Sequence, residues 1–294
     1  MTETLLSQQK IAFIGAGSMT EALLRGLLGA ELIAPQSLAV MNRNSRSRLE
    51  ELQQHYGIRI PETNSPEERN DMVRSADMVV FAMKPKDVGA AIHEFRSALR
   101  PDQLIVSVVA GLSIGTIERL LGRKQPIVRT MPNTSSTIGL GAAGLACSDT
   151  VTDIFKSLAI SMLEAAGMAI PLEEDQLNIV TGVSGSGPAY VYYLMESMIQ
   201  AGMEGGLSEP DARALVLQTV LGAAQMVRLT GETPSALREK VTSPNGTTFA
   251  AIGVLEQYRF QDAVRKAIAR AADRAGEMGD EIAAAAIAAI SGQE

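Results

Sequence analysis

The sequence predicts an α/β fold: a doubly wound, mostly parallel sheet over residues 1–171, followed by an all-helical part over 172–294. Three observations carry this. Short apolar runs alternate with segments of helical spacing along the first part, the pattern of parallel strands joined by crossover helices. One such run, Asp77 to Met83 (DMVVFAM), is apolar almost without interruption, as expected of a strand covered on both faces. After Ile170 no strand signal follows, and apolar residues recur at helical spacing.

The elements justify themselves in order. Met1 to Gln9 is polar and reads as a loose extension. Lys10 to Ile14 (KIAFI) is the first strand, and Glu21 to Ala30, with Leu23, Leu24, Leu27 and Leu28 on helical spacing, is the first helix. Gly15, Ala16, Gly17, Ser18, Met19 and Thr20 lie between them, the context in which a GxGxxG-like run binds a dinucleotide. Gly15 permits the tight turn, and Gly17 lets a pyrophosphate approach the amides at the helix start, as in a Rossmann domain. Thr20 stands where Gly or Ala gives the closest strand–helix packing, so looser packing is expected there. An incidental loop would use the same glycines without a ligand.

The second strand, Leu38 to Met41, ends in Asn42-Arg43. An NAD-selective fold places an acidic residue here to hold the ribose hydroxyls. Asn42 carries no charge to repel a 2′-phosphate, and Arg43 can pair with one, helped by Arg46 or Arg48. NADPH is therefore the expected cofactor, with NADH the alternative; a solvated basic loop would leave the same residues in place. Helix Ser45 to Tyr56 follows, with His55 on its surface.

Helix Ser65 to Ser75 enters through Ser65-Pro66 with two glutamates in its first turn. The strand Asp77 to Met83 stops at Lys84-Pro85, on the carboxyl edge where ligands of open α/β sheets sit. Lys84 reads equally as a strand-end lysine in solvent. Helix Val88 to Leu99 (His93 on its exposed face), strand Leu104 to Val109, helix Ile114 to Leu121 and strand Ile127 to Arg129 come next. Met131-Pro132-Asn133-Thr134 then leaves the sheet edge. Strand Gly139 to Ala146, helix Ile154 to Ala166 and strand Met168 to Ile170 finish the first part. Beyond Pro171, helices are expected over Leu172 to Val183, Ala189 to Ala201, Pro210 to Leu229, Thr233 to Val241, from Thr247, and Phe260 to Ile290. SGSGP (Ser184 to Pro188) breaks the first two apart, and an interruption near Gly276 or Gly279 is expected in the last. Several of these helices are apolar on more than one face and need a second copy to cover them.

The stretch Val241 to Leu255 (VTSPNGTTFAAIGVL) has chemistry of its own. Pro244-Asn245-Gly246 is a turn, and Thr247-Thr248 opens a helix, whose first amides point outward at the positive end of the macrodipole. With hydroxyls from Thr242, Ser243, Thr247 and Thr248 this makes a cup for a small carboxylate. A plain helix N-cap uses the same residue types.

Composition narrows the class. At 46% hydrophobic and 20% charged the chain is globular, and a net charge of -7 argues against a nucleic-acid partner. One cysteine, Cys147, excludes an internal disulfide and a cysteine metal cluster, and fits a reducing cytosol. His55 and His93 are the only histidines, so no histidine metal site is expected. No run has the plan of a signal peptide or the length of a membrane span, so a cytoplasmic protein with no membrane partner is expected.

FIGAGSM (Phe13 to Met19), FAMKP (Phe81 to Pro85), RTMPNT (Arg129 to Thr134), VSGSGPAY (Val183 to Tyr190) and VTSPNGTT (Val241 to Thr248) occur in this order. Together they resemble the pyrroline-5-carboxylate reductases, which complete proline biosynthesis, over nearly the whole chain. VTSPNGTT with the following Ala251 to Glu256 is the most specific of them. The resemblance implies a Rossmann domain and a helical domain that interlocks with its partner in a homodimer, with five dimers often forming a decamer. It places the substrate, 1-pyrroline-5-carboxylate, between the cofactor domain of one chain and helical elements of both. It also implies that Gly15 to Thr20 hold the pyrophosphate, and Asn42 with Arg43 the 2′-phosphate. Ala82, Met83, Lys84 and Pro85 would flank the cofactor, with Asn133 near the nicotinamide. Ser243, Gly246, Thr247 and Thr248 would receive the carboxylate, and Thr248 would serve the ring nitrogen as the catalytic hydroxyl. The chain departs from the family pattern at Ser18 (commonly Asn), Thr20 (Ala), Met83 (Val), Ser135 (Pro) and Asn245 (Gly); Asn tolerates the left-handed region, so the last turn is expected to survive. Two other functions use similar parts. A 3-hydroxyacid dehydrogenase or broader imine reductase on this scaffold commonly needs a lysine in the helical half, where Lys240 and Lys266 are the only ones after Pro171. A non-catalytic nucleotide-binding sensor would have no use for a carboxylate cup.

Overall fold

The computed structural model describes residues 5–291. Contacts divide the chain into two compact units: residues up to Gly185 together with the end of the last helix from Arg270, and Ser186–Ala269.

The first unit alternates strand and helix. Its order is β1 (Ile11–Ile14), α1 (Ser18–Gly29), β2 (Leu38–Met41), α2 (Arg46–Tyr56), α3 (Pro66–Arg74), β3 (Met78–Phe81), α4 (Val88–Phe95), β4 (Leu104–Ser107), α5 (Ile114–Leu121), β5 (Ile127–Met131), β6 (Gly141–Cys147), α6 (Asp153–Glu164), β7 (Gly167–Pro171) and α7 (Leu177–Val180). The seven strands form one sheet in the order β2-β1-β3-β4-β5-β6-β7. All neighbours run parallel except β5 and β6, which are antiparallel.

Because successive strand residues face opposite sides, each strand feeds two cores. Phe13, Val40, Val80 and Val106 pack on one face with Leu23, Leu24 and Leu27 of α1, Leu49 and Leu52 of α2, and Met162 of α6. Ile14, Val79, Phe81 and Ile105 pack on the other with Met72 and Val73 of α3, Ile92 and Phe95 of α4, and Ile117 of α5. Each of β1 to β4 is buried throughout, which is why their sequences read as continuous apolar runs.

Several expectations need correction here. Met1 to Thr4 of the supposed loose extension lie outside the described residues, but Leu5–Gln8 form a 3₁₀ turn and Leu6 is buried in the first core. Two adjacent leucines among polar residues leave no periodicity to read. His93 is half-buried rather than on an open face, and its Nδ1 is buried with no hydrogen-bond partner among the described residues. Leu172 to Val183 is not one helix: a 3₁₀ turn at Glu174–Gln176 leads into α7 and then a π turn over Thr181–Gly185.

The remaining helices are α8 (Gly187–Glu204), α9 (Glu209–Thr230), α10 (Pro234–Lys240), α11 (Thr247–Gln257) and α12 (Phe260–Ser291). The expected interruption of α12 is absent. Gly279 instead serves close packing within the first unit: a Cβ there would lie 2.9 Å from the Gly111 carbonyl oxygen. Further along, Ala286 is buried against Gly89 of α4. The second unit buries little of itself. No residue of α8, α10 or α11 is fully buried, and in α9 only Ala212 and Val216 are. Tyr193 (74% exposed), Leu217 (57%), Leu221 (49%) and Leu229 (79%) leave broad apolar faces uncovered in the single chain. No described helix is long and apolar enough to cross a membrane.

Candidate active site

Strand order reverses at β1: β2 pairs on one side and β3 on the other. The loops that leave β1 and β3 therefore diverge and open a crevice at the carboxyl edge of the sheet. Gly15 sits at its root with φ +116°, a conformation L side chains rarely adopt. Its amide donates to the Met41 carbonyl (2.8 Å), and a Cβ would lie 2.4 Å from the Ala82 carbonyl oxygen. Only glycine fits between β2 and β3 here.

Gly17 is the N-cap of α1 and supplies no side-chain cap; the first helical bond runs from the Glu21 amide to its carbonyl (3.1 Å). The amides before Glu21 are thus left to an outside acceptor, and a Cβ at Gly17 would meet only the Ala82 carbonyl oxygen, at 4.0 Å. Ala16 is buried, Ser18 exposed and Met19 half-buried. Thr20 reverses the expectation of loose packing. It is fully buried, and its Oγ1 donates to the Gly15 carbonyl at 2.8 Å, so the last residue of the fingerprint is tied to the first. A hydroxyl with an acceptor can be buried where a bare methyl pattern suggests only bulk.

A cleft of about 280 Å³ continues from Gly15 past Met83 to Asn42, Arg43 and Asn44, with Arg69, Glu94 and Phe95 on its far wall. Arg43 is exposed and has no hydrogen-bond or ion-pair partner among the described residues, whereas the Asn42 Oδ1 accepts from the Asn44 amide (3.4 Å). Arg46 and Arg48 are not the reserve cations expected of them. Arg46 donates to Glu50 Oε1 (2.9 Å) and to the Pro61 carbonyl. Arg48 pairs with Glu21 and with Glu51 (2.8 Å) and reaches the Ala16 carbonyl (3.3 Å). The Arg48 guanidinium, with a further hydrogen bond from Tyr56 Oη, holds the Glu21 carboxyl below its usual range. This network ties α2 to the glycine loop and leaves no sequence signal, since it joins residues from two separate helices.

Ala82 and Met83 are half-buried at the end of β3, Lys84 is exposed, and Pro85 opens a 3₁₀ turn closed by the Asp87 amide on the Lys84 carbonyl (2.9 Å). Asn133 spends its amide on the protein: Oδ1 accepts from the Ala142 amide (3.2 Å) and Nδ2 donates to the Ser184 carbonyl (3.1 Å). It clamps the loop after β5 between β6 and the π turn.

The second unit holds the other site. Asn245 has φ +61°, so the turn that usually carries two glycines forms with asparagine in the left-handed region, as expected. The Gly246 amide closes it on the Ser243 carbonyl (3.0 Å), and Gly246 is the N-cap of α11. The plain N-cap reading does not hold, because no side chain caps α11. Thr242 leaves the cup: its hydroxyl donates to the Arg238 carbonyl (2.6 Å) at the end of α10. Ser243 and Thr247 are exposed and Thr248 half-buried at the rim of the free amides. The contrast along the chain is informative. Ser45, Ser65, Ser113, Thr152, Ser208 and Thr233 cap α2, α3, α5, α6, α9 and α10. The two helices whose N-cap residue is glycine, α1 and α11, are left open, as are α4, α7 and α8. Lys240, one of the two lysines available after Pro171 to a hydroxyacid chemistry, is paired with Glu232 (2.5 Å).

The family model for pyrroline-5-carboxylate reductase dimerisation matches residues 174–278, and one described as NADP oxidoreductase, coenzyme F420-dependent, matches residues 10–111. The chain is 42% identical to pyrroline-5-carboxylate reductase 1 of Bacillus spizizenii, covering 95% of this chain and 92% of the relative. It is 38% identical to pyrroline-5-carboxylate reductase of Pseudomonas aeruginosa, covering 94% and 99%. Among solved structures it resembles a pyrroline-5-carboxylate reductase from Coxiella burnetii (TM-score 0.85, 36% identity, 92% of this chain and 98% of that one). It also resembles the Plasmodium falciparum pyrroline carboxylate reductase with NADP bound (TM-score 0.81, 29% identity, 93% and 99%). With sequence matches of this extent, the chain belongs to the pyrroline-5-carboxylate reductase family.

Proposed function

We propose that this chain reduces 1-pyrroline-5-carboxylate to proline with NADPH, residues 1–171 serving as the cofactor domain and 172–294 as the substrate and dimerisation domain. The observation that carries the reading is the pair of open helix starts at Gly17 and Gly246, in a chain that caps most of its other helices with Ser or Thr. One suits a pyrophosphate and the other a small carboxylate.

The residues present fit a dinucleotide. Gly15 lets the glycine loop lie against Ala82, Met83 lines the crevice, and Arg43, a cation unpaired among the described residues, stands beside Asn42 at its distal end. The absence of an acid there supports NADPH over NADH. When bound, the reduced nicotinamide supplies the hydride. The chain's own tasks are positional. The amides after Gly246, with Ser243 and Thr247, hold the carboxylate of the ring. Thr248 donates to the ring nitrogen and relays a proton from solvent to it as hydride arrives, so that the carbon becomes as electrophilic as that of a protonated imine. The product nitrogen keeps that proton, so atoms and charge balance without a histidine. Orientation of this kind is worth on the order of ~7 kcal/mol in favourable cases. Asn133 acts in this scheme by fixing the loop beside the crevice.

The exposed apolar faces of α8, α9 and α11 support a homodimer, in line with the dimerisation model that the segment matches. A decamer of five dimers is the larger assembly the family resemblance implies. The deciding assay is NADPH oxidation with pyrroline-5-carboxylate, run beside a straight-chain ketoacid. Turnover of the imine is expected; turnover of the ketoacid alone would overturn the assignment.

A further inference from the structure

The turn that carries Asn42 and Arg43 is held from behind by hydrogen bonds that no motif includes. Asn64 Nδ2 donates to the Asn42 carbonyl oxygen at 3.2 Å. Asn64 itself is in the left-handed region (φ +56°), and its carbonyl accepts from Arg69 Nη1 at 2.7 Å. Arg69 in turn donates to Glu94 Oε1 from Nε (2.9 Å) and Nη2 (2.5 Å). The Arg69 side chain is only 10% exposed, and both it and Glu94 line the cleft that ends at Asn42 and Arg43. Next to Arg69 in the chain, Glu68 secures the same loop from its other side, accepting from the amides of Glu62 (2.5 Å), Thr63 (3.0 Å) and Asn64 (3.1 Å).

The charges divide the two cleft arginines by role. Arg69 is neutralised by Glu94 and spends its donors on the protein, so it is poorly suited to bind a phosphate directly. Arg43 has no partner among the described residues. We propose that Arg69 is a positioning residue for cofactor choice: anchored on Glu94, it fixes Asn64, which fixes the Asn42 carbonyl and so presets the Asn42–Asn44 turn to receive a 2′-phosphate. The inference rests on the reading of Asn42 and Arg43 as the phosphate site. A turn already ordered before binding loses less freedom when the ligand arrives. The benefit falls mainly on NADPH, because NADH offers that turn an uncharged 2′-hydroxyl in place of a phosphate. A planar, multiply bonded guanidinium is needed, so lysine is a poor substitute.

The test compares KM and kcat for NADPH and NADH in the wild type, R69Q, R69K, N64G and R43A, with thermal unfolding of each. N64G keeps the positive φ and removes only the side-chain bond to Asn42, so it reports even where R69Q folds badly. Expected are a rise of about tenfold in the NADPH KM for R69Q and N64G, about threefold or less for NADH, and kcat within about twofold. R69K should recover only part of the loss. Equal losses for the two cofactors, or an unchanged NADPH-to-NADH ratio in N64G, would mark the network as merely structural and overturn the proposal. R43A separates the two layers of the inference. A ratio that falls in R43A but not in R69Q and N64G removes the positioning role and leaves the phosphate site standing. A ratio unmoved in R43A removes the phosphate site, and the positioning role with it.

Discussion

Three threonines carry one hydroxyl chemistry to three different ends. Thr248 stands free at the rim of the open amides, Thr242 donates to the Arg238 carbonyl, and Thr20 is buried on the Gly15 carbonyl. Replacing each with valine, which keeps the shape and removes the hydroxyl, separates them. Thr248→Val should lower kcat by about 10–100-fold, the share a positioned proton donor contributes when water can partly replace it. An unchanged kcat in steady-state assay would remove Thr248 from the chemistry. Thr242→Val should leave kcat within about twofold, because its bond serves the end of α10. Thr20→Val takes the donor from the half-buried Gly15 carbonyl, at a cost of about 1 kcal/mol of stability, and should raise the NADPH KM through the glycine loop rather than alter kcat. Calorimetry and kinetics together distinguish the three. Residue type marks all three only as hydroxyls near glycine turns, and the family resemblance alone sets Thr248 apart. What is legible at this scale is the backbone: Gly15 and Asn245 announce positive φ through residue type alone, and both have it. The partner of a side chain is settled through space, which is why Arg46 and Arg48 read as cofactor cations yet are occupied by Glu50, Glu21 and Glu51.

At the scale of elements, most of the sheet is legible because its strands are covered on both faces and its helices on one. Direction is not: nothing in Gly141–Cys147 says that it runs antiparallel to β5, since that depends on where the loop after β5 turns, and Asn133 fixes the turn from outside both strands. The loop between α2 and α3 is a second such case, and it yields a pH prediction. The Glu68 carboxyl is held below its usual range, first by the Glu62 amide, with the hydroxyl and amide of Thr63 and the amide of Asn64 adding to it. A lowered folded-state pKa means the unfolded chain binds its proton first as pH falls. The contribution is therefore complete above the unfolded value of about 4.3 and is lost as pH drops through the lower folded value. Glu68→Gln should lower the melting temperature near pH 7. The gap from wild type should shrink as the buffer is taken below about pH 4. A gap that stays constant across that range would show that charge on Glu68 does not hold the loop. Glu68 is only half-buried, so the shift in melting temperature should be small.

For the whole molecule the question is what covers the second unit. A layer of helices with two buried residues in α9 and none in α8, α10 or α11 has too little core to be stable by itself. The apolar positions were legible in the sequence as helices greasy on more than one face, and the partner that covers them was legible only as a need. A second copy meets that need in the way closed symmetry allows, each patch being used twice. Leu217 and Leu221, four residues apart on α9, are about half exposed in the single chain. Burying one leucine is worth about 1.5–3 kcal/mol, and a twofold interface counts each position twice. Leu221→Asp should therefore weaken the dimer by at least ~100-fold, and lower the melting temperature most at low protein concentration. The same substitution in a protein that works as a monomer would cost little, because an exposed leucine on a helix surface tolerates aspartate within about 0.5 kcal/mol. Light scattering across a hundredfold range of concentration decides between them. A wild type that scatters as a monomer throughout, with Leu221→Asp as active and as stable as the parent, would leave the helical unit's apolar faces without a physical account.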